Sequence, residues 1–274
     1  MDQMLLPGTD PSANDLYNMA IAVPLTEKIR KAVDMLRLFS PSYLAYSGGK
    51  DSDVILELCK MAGVDAAPHY NCTTMDPPEL IRYIRTKDVT WNRPPMALTT
   101  RLVEKSCGPP TSRAAWCCEE YKEQGGAGTI RVVGVRAEES KRRRHLWKTV
   151  VPMRDKGTIL CPICYWTEDD VWEFHRIRGL DHCCLYDQGF TRLGCVGCPK
   201  AGRPQQQKEF ARWPGFERSW KRAIYRFWDK WHNVPTLKGK TRWFVKYGSA
   251  EGLWNWWIRQ PRDKAECQTR SLFS

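Results

Sequence analysis

At 274 residues, with 43 Lys and Arg against 31 Asp and Glu, the chain is long enough for one large domain or a main domain with an appendage, and its net charge is +12. Residues 1–12 carry no basic start followed by a long apolar run, and no stretch reaches the roughly 18 apolar residues of a membrane span; a cytoplasmic protein with no membrane partner is expected. Twelve cysteines in a reducing compartment argue against a disulfide framework and toward metal binding or thiol chemistry.

In chain order, Thr26 is placed to cap a helix whose apolar positions Ile29, Val33, Met35 and Leu36 recur at helical spacing and which ends near Pro41. Tyr43 to Tyr46 reads as a short buried strand. It hands over, through Ser47-Gly48-Gly49-Lys50-Asp51-Ser52, to a helix with Val54, Ile55, Leu58 and Met61 on one face. Val64 to Asn71 gives a second strand, Thr73 to Pro78 a loop, and Glu79 to Thr86 a further helix. Residues 88–112, rich in Pro, Thr and Gly, read as an irregular connection. Arg131 to Val135 is a buried strand by its β-branched run, with Arg136 to Ser140 leaving its C-terminal end. Strands alternating with helices imply an α/β fold around a parallel sheet, in which ligands bind beyond the carboxyl ends of the strands.

After Pro199 the texture changes. Residues 201–274 hold eight of the thirteen tryptophans, and 16 Lys and Arg against 6 Asp and Glu. That asymmetry favours a polyanionic partner, nucleic acid (DNA or RNA) first, with a solvated basic surface as the alternative. Trp220, Ile224, Phe227, Trp228 and Trp231 nevertheless follow the stripe of an ordinary amphipathic helix and are expected to pack in a core. Trp254, Trp256 and Trp257 are undecided between packing and stacking on bases. The expected division is a nucleotide-binding domain over 1–200 and a basic, Trp-rich, mainly helical region over 201–274.

The strand-to-helix junction at residues 47–52 is built to hold phosphate. Two glycines let successive N–H groups turn inward, and the helix start adds its positive dipole end. Lys50 supplies a point charge, Ser47 and Ser52 supply hydroxyls, and Asp51 is a carboxylate for a magnesium ion shared with the phosphates. The spacing differs from the Walker A pattern, which has four residues between its glycines. Arg136, with Arg142 or Arg143 close behind, is placed to contact an α-phosphate or an acceptor; the alternative for Lys141 to Arg144 is a solvated loop.

The second signal is cysteine. Cys195-Val196-Gly197-Cys198 supplies two thiolates from one turn, and the earlier pair Cys117-Cys118 supplies the rest of a four-thiolate site. Zinc accepts the same sulfurs. Cys164 and Cys184 compete for a place in the set, while Cys59 reads as a small buried hydrophobe.

The segment Ser47 to Ser52 resembles the PP-loop of the adenine nucleotide alpha-hydrolase superfamily, whose members cleave at the α-phosphate and release pyrophosphate. Tandem Cys followed by Cys-x-x-Cys resembles the [4Fe-4S] pattern of adenylyl-sulfate reductases in that superfamily. Tyr70 to Glu79, Arg113 to Lys122, Gly134 to Ser140, Trp166 to Trp172 and Leu185 to Cys195 extend the likeness over most of residues 40–200, to the phosphoadenosine phosphosulfate (PAPS) reductase family. The resemblance implies a Rossmann-like PP-loop fold and an adenine nucleotide ligand.

It leaves two chemistries. Sulfonucleotide reductases of the family carry a C-terminal Glu-Cys-Gly-Leu-His tail with the nucleophilic Cys; here Glu266-Cys267 stands without the Gly and His. Their phosphate loop is often degraded, whereas this chain keeps Lys50 and both glycines, which suits whole ATP. The preferred expectation is therefore an ATP pyrophosphatase using ATP, Mg²⁺ and a [4Fe-4S] cluster. It adenylylates an acceptor, nucleic acid first, and sulfur from a cysteine desulfurase or another donor then replaces the adenylate. A reductase acting through Cys267 and a non-catalytic nucleic-acid module are the alternatives.

Overall fold

The computed structural model describes residues 13–139, 148–154, 157–232, 234, 244 and 246–259. They fall into two compact units, each assembled from separate stretches of chain: unit 1 is Met1–His69, Asp88–Thr90 and Gly126–Cys183, and unit 2 is Tyr70–Lys87, Trp91–Gly125 and Cys184–Ser274.

Unit 1 is built on a six-stranded sheet of β1 (Tyr43–Tyr46), β2 (Ala67–Asn71), β3 (Thr90–Asn92), β4 (Ile130–Val133), β5 (Val150–Pro152) and β6 (Thr158–Leu160), in the order β3-β2-β1-β4-β6-β5. The unit boundary falls within β2 and β3. β1 pairs with β4 in parallel, Leu44 opposite Val132, and β4 pairs with β6 in parallel, Val132 opposite Leu160. All three of these residues are fully buried. β5 closes the edge antiparallel to β6.

Among the described residues, α-helices α1 (Ala13–Ile21), α2 (Leu25–Phe39), α3 (Lys50–Ala62) and, further along the chain, Glu168–Arg178 complete the unit. β1 leads through α3 to β2 on one side, and the chain returns to β4 on the other. The carboxyl ends of β1 and β4 thus flank the point where strand order reverses, the usual ligand position in such sheets. α2 begins one residue before the expected cap. Pro24 stands at the N-cap with an extended backbone, its carbonyl accepts the Lys28 N–H, and Thr26 lies inside the first turn without capping anything. Cys59 is buried in α3, as expected of a small hydrophobe.

Unit 2 is mainly helical. It contains α4 (Pro78–Ile84), α5 (Leu98–Glu104) and α6 (Trp116–Tyr121); counting Glu168–Arg178 as α7, it continues with α8 (Arg203–Arg212), α9 (Pro214–Trp231) and α10 (Ala250–Arg259). Residues 88–112 are therefore not wholly irregular: they hold β3 and α5. Leu98 and Leu102 on one face of α5 pack with Trp116, Phe210, Trp220, Ile224, Phe227, Trp254 and Trp257. Of the expected α9 stripe, Trp220, Ile224 and Phe227 are core, and Trp228 and Trp231, partly buried, pack against it. Trp254 and Trp257 join it at 3% and 1% exposure, so neither is available to stack on a base.

Candidate functional site

In unit 1 the loop after β1 turns on Gly48, whose φ of +69° is the left-handed conformation that a side chain disfavours. Gly49 is the N-cap of α3 and brings no capping side chain, and its own N–H donates to Ser47 Oγ at 3.4 Å. Ser52 Oγ ties the loop down, donating to the Gly49 carbonyl at 2.7 Å and accepting from the Ser47 N–H at 3.3 Å. The start of α3 also sits hard against the end of β4: a Cβ on Gly134 would lie 2.9 Å from both the carbonyl carbon and oxygen of Asp51.

Two cations are buried behind this loop. Lys50 is 3% exposed, with Nζ 3.7 Å from Asp51 and 3.6 Å from Glu168, and it lies 6.0 Å from the centre of the Trp172 ring. Arg136 is 2% exposed; its Nε donates to Asp51 Oδ1 at 2.6 Å, one terminal nitrogen donates to Glu138 Oε2 at 2.6 Å, and the other lies 3.9 Å from Glu168. Burial works against the charge of Arg136, but Asp51 and then the neighbouring glutamates hold its pKa above the ordinary value. Asp51 thus bridges the two expected catalytic cations. Its strand neighbour Tyr46 donates to Asp53 at 2.6 Å and anchors the first turn of α3 from below.

Helix α7 supplies three further groups. Thr167 caps it, accepting from the Asp170 N–H while the Asp170 side chain accepts from the Thr167 N–H. Glu168 instead faces the cations, and its N–H donates to Glu138 Oε2 at 2.6 Å. His175, buried, donates through Nε2 to the Lys50 carbonyl at 2.9 Å. Sequence reasoning missed Gly134, Glu168 and His175 because each acts on a backbone or charge far away in the chain. Arg142 and Arg143 lie outside the described residues, as does Cys267.

The four expected metal-ligating cysteines all belong to unit 2. Cys117 and Cys118 open α6, and Cys195 to Cys198 form a turn closed by the Cys198 N–H on the Cys195 carbonyl at 3.2 Å. The peptide groups within that turn are clamped. The Val196 N–H donates to the Met75 carbonyl at 2.7 Å, the Gly197 N–H to Glu209 at 2.7 Å, Gln206 to the Gly197 carbonyl at 3.0 Å, and the Trp220 indole to the Val196 carbonyl at 2.9 Å. Gly197 is obligatory: φ is +75°, and a Cβ would sit 2.4 Å from the Phe210 ring.

The thiols lie in one another's field. Cys117 shares a hydrogen bond with Cys118, and that bond, with Lys200 and Lys122 nearby, lowers the Cys118 pKa to about 5. Lys200 Nζ stands 3.5 Å from Cys118 Sγ. Burial first, then Asp76 and Cys198, push Cys195 up to about 12 against the pull of Lys122. Four sulfurs from two segments beside two lysines are the donor chemistry of a thiolate-held cluster or zinc, the lysines offsetting the negative charge such a centre carries. Among the described residues no three His, Cys, Asp or Glu are arranged as ligands of a single metal ion. Of the competing ligands, Cys184 is an exposed residue of unit 2, whereas Cys164 is buried in unit 1 beside Cys161.

Residues 41–201 match the family model described as phosphoadenosine phosphosulfate reductase domain. The chain belongs to that family. A relative within reach of it is adenosine 5'-phosphosulfate reductase 2 of Bacillus subtilis, 24% identical over 226 residues that cover 75% of this chain and 94% of that one. Another, adenosine 5'-phosphosulfate reductase of Staphylococcus haemolyticus, is 28% identical over 108 residues, 38% of this chain and 44% of that one. Among solved structures, the PAPS reductase of Candida auris in a phosphate complex superposes with a TM-score of 0.46 at 12% identity, over 69% of this chain and 97% of that one. The matched PAPS reductase segment takes in both the loop at 47–52 and the four cysteines, and ends where α8 begins.

Proposed function

We propose that the chain is an ATP pyrophosphatase of the PAPS reductase family, which adenylylates an oxygen of an acceptor so that sulfur can replace it. The reading rests on one observation: Lys50 and Arg136, both buried, are joined through Asp51 where β1 and β4 end side by side. Lys50 and the helix start would take the departing pyrophosphate, and Arg136 the α-phosphate. Magnesium would be held at Asp51, where it offsets charge between the phosphates. Cys117, Cys118, Cys195 and Cys198 would hold a [4Fe-4S] cluster, or zinc, and such a centre supplies a place to bind or relay sulfur. Nucleic acid is the proposed acceptor on the strength of the basic residues in 201–274, and a cysteine desulfurase or similar donor would provide the sulfur.

The names of the relatives speak more directly for a second reading, reduction of a sulfonucleotide to sulfite with Cys267 as nucleophile. Against it stand the intact loop and the tail, which lacks the Gly and His that accompany such a cysteine. Anaerobically purified protein, with its iron and zinc counted, decides between the two when given ATP, magnesium, nucleic acid and sulfide, or adenylyl sulfate with a thiol reductant. AMP and pyrophosphate formed from ATP, in the presence of nucleic acid, are the expected products. Sulfite formed from adenylyl sulfate, dependent on Cys267 and with ATP untouched, would establish the reductase instead.

A further inference from the structure

The phosphate-binding cations are already neutralised. Around Lys50 and Arg136 the described residues place Asp51, Glu138 and Glu168, and Glu139 accepts from the Arg136 N–H at 3.3 Å. Among the described residues, these two positive charges thus face four carboxylates. Two cations buried this deeply need counter-ions when no anion is bound, because taking an unpaired charge out of water is costly. The same carboxylates would repel a polyphosphate brought to Lys50 and Arg136.

The carboxylates are not equivalent. Asp51 is fixed by its short bond to Arg136, and Glu138 by Arg136 and the Glu168 N–H. Among the described residues the Glu168 carboxylate makes longer approaches, 3.6 Å to Lys50 and 3.9 Å to Arg136, and its side chain is 44% exposed. It is also the one whose helix does not need it, since Thr167 and Asp170 cap α7 without it. We infer that Glu168 is a counter-ion which the nucleotide displaces from Lys50, so that its charge sets how strongly nucleotide binding depends on a divalent cation. With Glu168 charged, magnesium must neutralise the phosphates before they can take its place. Without that charge, the bare polyphosphate meets two cations less fully compensated. This rests on reading the loop as a nucleotide site.

The test is calorimetric titration of the full chain with α,β-methylene-ATP, in chelator and in magnesium, for wild type, Glu168→Gln and Glu173→Gln. Glu173 lies on the same helix, paired with Arg176 away from the loop. Glu168→Gln is expected to bind about three- to tenfold more tightly than wild type in chelator, the size of effect one partly screened charge produces at this range. The gap should narrow in magnesium, and Glu173→Gln should match wild type in both buffers. Glu168→Ala removes the same charge and is expected to behave like Glu168→Gln if the latter folds poorly. Equal or weaker binding by these variants in chelator, with wild type binding in magnesium, overturns the inference and leaves the nucleotide reading standing; a Glu168 that merely braced the loop would give that weaker binding. No uptake by wild type in magnesium overturns both.

Discussion

Gly134 shows how little room separates the two chain segments that form the site. Its missing side chain is what allows β4 to run against the Asp51 peptide, because a Cβ there would meet backbone atoms that have no rotamer to escape into. Gly134→Ala is expected to cost about 1–3 kcal/mol, in the range of an overpacked core. It should also weaken nucleotide binding by shifting Asp51 relative to Arg136. Urea denaturation and calorimetry on the same variant check both halves; a variant as stable and as tight-binding as wild type would show that this contact does not set the geometry. The sequence places Lys50 and Asp51 in the glycine loop and Arg136 just past a strand end. Their joining through one carboxylate is not legible there, since 85 positions separate Asp51 from Arg136.

At the scale of elements, β1 and α3 could be read from the sequence because an apolar run, a glycine turn and a helical stripe agree with one another. Residues 88–112 could not. β3 is three residues long, and α5 is two turns whose Leu98 N–H is capped by the Thr74 hydroxyl at 3.0 Å from elsewhere in the chain. The acidic run Glu168 to Asp170 marks a helix start in the sequence, but neither the Thr167 capping box nor the burial of His175 can be read there. Burial lowers the His175 pKa, while its bond to the Lys50 carbonyl works the other way. The unfolded chain therefore binds more protons than the folded one as pH drops below about 6.5, the ordinary histidine value. Stability attached to the neutral imidazole is intact above that pH and is lost as pH falls through the lowered folded value. Melting temperature should thus fall on acidification from about pH 7 to pH 5, beginning before ordinary carboxylates titrate. His175→Gln, which keeps a donor for Lys50 but cannot titrate, should flatten that part of the profile. An unchanged profile would remove His175 from this role.

Across the whole molecule, composition gave the basic C-terminal region but not its use. The tryptophans of residues 201–274 divide once the structure is known: Trp220, Trp254 and Trp257 are core, and Trp231 donates to the Val103 carbonyl at 2.8 Å. Some of the basic residues are also paired within unit 2, Arg212 with Glu79 and Lys221 with Glu251. The proposal of a nucleic-acid acceptor therefore rests on net charge, and Trp220, Trp254 and Trp257 add no stacking face to it. Among the described residues no helix is long and apolar enough to cross a membrane. What makes the molecule an enzyme in this account is the phosphate loop, and one titration examines it most directly: ATP analogue with magnesium into wild type and Lys50→Ala. Saturable uptake by wild type, weakened about tenfold or more in the variant as a lost charged contact requires, is the predicted result. Equal affinity in the two proteins, or no uptake by either, would contradict it.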